Sequence, residues 1–160
     1  MYDPIEVAWK VLFEAKAQGK SLSNLQLQKL VYISHGYLLG WQNRALINKT
    51  IEAWTYGPVI SPIYQEFKEY KDNKIYIYQM FPTALDQDSE ATECIRSVLG
   101  MYGNMDAMDL VNITHQPNTP WHEIWHNQNG SQYYGAPISN ELIRNHYRKV
   151  IATPQEVHGL

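Results

Sequence analysis

A single cysteine in 160 residues excludes two classes of protein at once: Cys94 has no partner for an internal disulfide and cannot form a thiolate metal cluster by itself. Charge of one sign is also scarce. Thirteen Lys and Arg stand against sixteen Asp and Glu, a net −3, so nothing resembles the basic stripe that a phosphate backbone selects. The local cluster of Arg144, Arg148 and Lys149 has the spacing of a solvated helix face. No apolar run approaches the roughly 20 residues needed to span a bilayer, and no signal-like segment follows Met1. The expectation is a soluble, cytoplasmic protein without a membrane partner, and with nucleic acid disfavoured as a partner. Internal repeats, low-complexity tracts and long linkers are missing as well.

What is present is a folded-protein composition, 44% hydrophobic and 18% charged, at a length that suits one domain around one core. Three phenylalanines against twelve tyrosines and five tryptophans skew the aromatics toward rings that carry a polar atom. Such rings suit half-buried positions and interfaces, although filling a core is their commoner use.

Capping signals punctuate the chain. Asp3-Pro4-Ile5-Glu6 opens a first helix whose Ile5, Ala8, Trp9, Leu12 and Phe13 share one face, and Gly19 stops it. Ser23 and Gln26 form a capping box before Leu27, Leu30, Val31, Ile33, Tyr37, Leu38 and Trp41, a helix apolar on more than half its circumference. Its Gly36 and Gly40 leave a groove for a close approach by another backbone. Residues 51–56 read as a strand ending in a turn at Gly57-Pro58, hence a small hairpin. Ser61-Pro62 starts a further helix, and Ile75 to Tyr78 reads as an edge strand. Asp88 or Ser89 caps a helix with Ala91, Ile95, Val98, Leu99 and Tyr102 inward and Gly103 at its end. Shorter helices follow from Asp106 and Thr119, then a turn-rich stretch to Gly135. A last helix spans Ser139 to Ile151, with Ile143, Tyr147, Val150 and Ile151 inward, and residues 152–160 read as a flexible tail.

His122-Glu123-Ile124-Trp125-His126 matches the zinc-protease pattern H-E-x-x-H, whose two imidazoles share a helix face. The context argues against it. Pro120 and the polar 127–130 stretch leave about one turn of helix, and Asn129 and Gln132 occupy the places of the glycine and third histidine of the extended motif. The alternative is that Trp121 and Trp125, one turn apart, anchor this segment to the core. Cys94 lies beside Ile95 on an apolar helix face, more like a small core residue than a nucleophile. Phosphate loops, nucleophile elbows and paired-carboxylate signatures do not occur. The reading is therefore a protein that is not an enzyme, with no catalytic residue, no cofactor and no metal.

Three stretches carry a resemblance. Leu27-Gln28-Lys29-Leu30-Val31-Tyr32-Ile33-Ser34-His35-Gly36 resembles a helix of the Panacea domain family, also called SocA-like or phage-associated proteins. Ile51 to Val59, followed by Ile63-Tyr64 and Phe67, resembles its central strand-turn-helix signature, and Thr114-His115 with Pro120-Trp121 its Thr-His…Pro-Trp segment. The resemblance implies a fold that is mainly α with a small β-hairpin (α+β), a single compact helical domain over residues 1–151. It also implies an antitoxin that binds and neutralises a toxin protein encoded by a neighbouring gene. Alternatives within the family are an adaptor that presents its client to a protease and a prophage-borne regulator or anti-defence protein. Glu52, Trp54, Tyr56 and His115 offer a contact patch, with Tyr32, His35 and Trp121 as further partner-binding candidates. The competing possibility is that the Trp/Tyr pair and Gly57-Pro58 merely fix a strand-to-helix corner over a buried Glu52, with the partner meeting residues 43–50 or 71–88.

Overall fold

The computed structural model describes residues 1–77 and 82–153. Helices α1 (Pro4–Ala17) and α2 (Asn24–Gln42) lead into strands β1 (Ile51–Trp54) and β2 (Gly57–Val59) and helix α3 (Ser61–Phe67). After these come α4 (Ser89–Tyr102), α5 (Ala107–His115), α6 (Pro120–His122), β3 (Ala136–Ile138) and α7 (Asn140–Ala152). The α+β expectation holds, as helices enclose one core beside a small antiparallel sheet ordered β2-β1-β3. Among the described residues no helix is long and apolar enough to cross a membrane.

Local chemistry sets the boundaries. Asp3 accepts from the Ile5 amide at 2.8 Å with Pro4 in the first turn, where no N–H is needed. Ser23 and Gln26 close a reciprocal capping box, the Ser23 amide donating to Gln26 Oε1 at 2.9 Å. Asp88, Asp106, Thr119 and Ser139 cap α4, α5, α6 and α7 through side-chain oxygens. The start of α3 differs from the sequence reading: Ile60 is its N-cap and Ser61 its first helical residue, with no side-chain cap. The Gln28 side chain, reaching from α2, takes the Ile60 amide at 2.9 Å instead.

Helix α2 is the axis of the fold, buried almost throughout and flanked by α1, α4, α5 and α7. The Gly36/Gly40 groove is filled by α7. A Cβ at Gly36 would stand 2.2 Å from the Tyr147 ring, and one at Gly40 would stand 3.0 Å from the Arg148 backbone. Three residues expected inside are exposed: Phe13, Trp41 and Ile151. On α1 the Val7-Val11-Ala15 row is the fully buried one, and Phe13 rotates out beside it. Two polar residues of α1 go in. Lys10 bridges Glu14 at 3.1 Å and Asp86 at 2.8 Å, and Arg96 covers the other Glu14 oxygen at 2.7 Å.

The hairpin forms with its turn shifted. Trp54 pairs with Gly57, so Thr55-Tyr56 make the two-residue loop, and Gly57-Pro58 belong to β2. Gly57 has φ +108°, which favours glycine there, and Pro58 is tolerated because β2 is an edge strand. Strand β3 was not expected from the sequence. It pairs Ile51 with Ile138 and Ala53 with Ala136, extending the hairpin into a sheet. The predicted edge strand from Ile75 is corrected as well: residues 75–77 form none, and Lys74 makes an isolated bridge to Ser23, while Tyr78 lies outside the described residues. Helix α7 continues to Ala152, and the expected tail from Pro154 onward also lies outside the described residues.

Candidate protein-docking site

Strand β1 alternates as a half-buried strand must: Ile51 and Ala53 point into the core, Glu52 and Trp54 outward. The Trp54 indole N–H donates to Glu52 Oε1 at 2.8 Å, and its carbonyl accepts from Trp121 Nε1 at 2.7 Å. Tyr64 meets the Trp54 ring edge-on at 5.2 Å between centroids, and Tyr134 leans on it at 6.0 Å. Behind them Trp121 stacks on Trp125 at 5.5 Å and 18°, with the His115 ring 5.3 Å from Trp121.

Trp54, Tyr64, Trp125 and Tyr134 wall an open groove of about 500 Å³ between the sheet, the start of α2 and α3. Its aromatic lining is Trp54, Tyr56, Tyr64, Trp125, Tyr133 and Tyr134; its floor is amide, and Lys68, Lys71 and Asp72 stand at the rim. The floor is held by a hydrogen-bond chain. Asn24 Nδ2 donates to the Tyr64 carbonyl at 3.3 Å, and Gln28 Nε2 donates to Asn24 Oδ1 at 3.1 Å. With Gln28 Oε1 holding the Ile60 amide, both floor side chains are fixed before any partner arrives.

Lys29 supports the corner from below. Fully buried, it donates from Nζ to the Pro58 carbonyl at 2.8 Å, and burial lowers its pKa to about 7. A Cβ at Gly57 would fall 3.0 Å from that Nζ and 3.3 Å from Thr114 Oγ1. The three separated sequence stretches thus converge here: Gln28 and Lys29 hold Ile60 and Pro58, Thr114 fits against Gly57, and Trp121 holds Trp54.

The expected contact residues divide accordingly. Tyr56 is 62% exposed at the hairpin tip, and Glu52, Trp54 and His115 are half-buried around the same corner. Trp121 is largely enclosed and acts on the groove through the Trp54 carbonyl. Tyr32 and His35 are corrections, since both lie in the core, out of reach of a partner on the folded surface. His35 Nδ1 accepts from the Leu46 and Ile47 amides at 3.1 and 3.3 Å, so its Nε2–H donates to Asn140 Oδ1 at 2.8 Å. Burial lowers its pKa to about 4 and holds the ring neutral. That anchoring also draws Leu46 and Ile47 into the core, leaving less of residues 43–50 for a partner. Tyr133 and Tyr134, 68% and 90% exposed, were missed. Adjacent tyrosines in a turn-rich stretch are the one signal that pointed to them.

Catalytic geometry is sparse. His122 and His126 do approach, at 4.5 Å between ring centroids, on a segment that passes from α6 into a π-helical turn over Glu123–Asn127. Glu123 is taken by Asn127 Nδ2 at 2.6 Å and Gln128 Nε2 at 3.4 Å. Among the described residues, no group of three or more His, Cys, Asp or Glu side chains is placed to hold a metal ion. Cys94 is buried, its thiol pushed up to about 12 and pointing at the Ser34 carbonyl, which leaves little thiolate for attack.

Comparison with known proteins agrees with the sequence signature. The family described as "Antitoxin SocA-like, Panacea domain" matches residues 27–122, the span that holds most of α2, the hairpin and the Thr114 and Trp121 supports. The Antitoxin SocA of Caulobacter vibrioides (strain NA1000 / CB15N) is 31% identical over 155 residues, covering 91% of this chain and 82% of that protein. No solved structure matches. Family match and relative together cover most of the fold, and the chain belongs to the antitoxin SocA-like, Panacea domain family.

Proposed function

We propose that this protein is an antitoxin that neutralises a toxin from a neighbouring gene by direct, stoichiometric binding, without catalysing a reaction, and that the aromatic groove is the binding face. The observation that carries the reading is the set of exposed tyrosines on a fixed corner. Tyr56, Tyr133 and Tyr134 leave large amphipathic rings in solvent, while the strand and floor beneath them are hydrogen-bonded in place. Tyrosine and tryptophan supply much contact area for little lost side-chain freedom, and a few such residues carry most of an interface's energy. Glu52 and His115 flank the patch and orient the bound surface.

Co-expression tests the reading. The wild-type chain is expected to restore growth to cells expressing the adjacent open reading frame. The Tyr56→Ser, Tyr134→Ser double variant, altered at exposed positions that leave the core intact, is expected to weaken binding by about 30-fold or more and to lose the rescue. A harmless neighbouring product, or full rescue by the double variant with the toxin unbound, contradicts it.

A further inference from the structure

Glu52 is the acid of strand β1, and the sheet around it supplies no counter-charge. Its cross-strand neighbours are Val59 on β2 and Pro137 on β3. Val59 lines the groove, which places Glu52 at the groove's edge, on the sheet face where Trp54 stands. The carboxylate is half-buried and held, with Oε1 accepting the Trp54 indole N–H at 2.8 Å. Oε2 accepts no hydrogen bond, and neither oxygen makes an ion pair, among the described residues. Gly135, at φ +66°, passes beside it with no side chain to cap it; a Cβ there would stand 2.9 Å from Oε1. The adjacent Tyr134, 90% exposed, leans on the Trp54 ring at 6.0 Å. The other charges of the groove lie at its α3 rim: Lys68, Lys71 and Asp72, with Glu69 between the lysines. Three acids, Glu52, Glu69 and Asp72, thus stand against two lysines, neither of which pairs with Glu52.

We propose that an arginine of the partner protein completes this arrangement, its guanidinium forked onto the Glu52 carboxylate and its plane against the Tyr134 ring. The inference rests on the antitoxin reading and adds the side chain that the groove's edge selects. Both lone pairs of Oε2 and one of Oε1 remain for a planar, two-pronged donor. Guanidinium also stacks on an aromatic face, which a compact ammonium does less well. A partner that covers Glu52 without a cation would bury a carboxylate lacking its counter-charge, and an acidic side chain there would oppose it. Because the indole already fixes the carboxylate, little side-chain freedom is left to lose on pairing.

The test uses the full chain and blocked peptides, acetyl-Gly-Leu-Arg-Leu-Gly-amide and its counterparts with citrulline, lysine or glutamate in place of arginine. Citrulline keeps the shape and loses the charge. The Trp54 indole N–H resonance, donated to Glu52, reports occupancy. The arginine peptide should shift it in a saturable way and bind about tenfold tighter than the citrulline peptide, with lysine in between. Glu52→Gln keeps an acceptor for the indole without the charge, so the advantage of arginine over citrulline should fall below about twofold. Tyr134→Leu, altered at an exposed position, should weaken the arginine peptide by about threefold. Saturation by none of the peptides, equal binding of arginine and citrulline, tightest binding of lysine or glutamate, or an arginine advantage that survives Glu52→Gln overturns the proposal. The growth rescue separates the two ideas. Full rescue and undiminished toxin binding by Glu52→Gln sink the arginine contact alone, while arginine discrimination without any toxic neighbour sinks the antitoxin reading and leaves the site standing.

Discussion

Lys29 and His35 are both fully buried on α2, and desolvation disfavours the charged form of each. Their consequences for stability fall on opposite sides of neutrality. Lys29 has a folded pKa of about 7 against 10.5 for the ordinary group, so between those values the unfolded chain binds a proton that the folded one does not. Stability should therefore rise with pH from about 7.5 to 9.5, by up to about 1.4 kcal/mol per unit. The Lys29→Met variant should lose that slope in denaturant titrations, and an unchanged slope would locate it elsewhere. For His35, about 4 folded against 6.5, the unfolded chain is again the better proton acceptor, so stability should fall as pH drops from about 6.5 toward 4.5. Urea titrations of the wild-type chain and of His35→Gln at pH 7 and pH 5 check this, with a smaller loss expected in the variant. Neither burial was legible from residue type alone, because lysine and histidine are ordinarily surface or half-buried groups. What placed them inside was tertiary: the Pro58 carbonyl and the Leu46 and Ile47 amides needed partners.

Among the elements, α2 and α7 form the tightest junction, and Gly36 decides how close they come. An added methyl would overlap the Tyr147 ring, which is itself wedged among Tyr32 and Tyr37 and cannot swing away freely. Gly36→Ala is expected to cost about 1–3 kcal/mol, read as a lower denaturant midpoint at unchanged slope. Combining it with Tyr147→Leu should cost less than the sum of the two single changes. Strict additivity would mean that the ring and the glycine do not oppose each other. Helix existence was readable throughout because capping residues and apolar periodicity coincided at Asp3, Ser23, Asp88, Asp106, Thr119 and Ser139. The small sheet was readable only in half. Ala136-Pro137-Ile138 is too short to show alternation and gains strand character from pairing with β1. The polar face of α1 misled similarly, since Lys10 and Glu14 pattern as solvent positions but neutralise one another under Asp86 and Arg96.

At the scale of the whole molecule, residues 29 and 57 positions apart are brought to one corner, where Lys29 holds Pro58 and Thr114 fits against Gly57. The sequence signature marks that corner because its parts depend on one another, and most of them are supports. Residues facing out of it, Tyr133 and Tyr134 above all, lie outside the signature and were not recognisable by pattern. Exposed aromatic positions satisfy no periodicity, so only the folded chain shows that they surround Trp54. The proposed working surface is accordingly the groove rather than an internal chemical centre.

Amide hydrogen exchange of the full chain, alone and saturated with the neighbouring gene's product, tests that assignment most directly. The account predicts slowed exchange in residues 54–57 and 130–135, with α4 and the α2–α7 junction unchanged. Protection centred on α4 or α7, or neutralisation of the toxin with no protection anywhere, would contradict it.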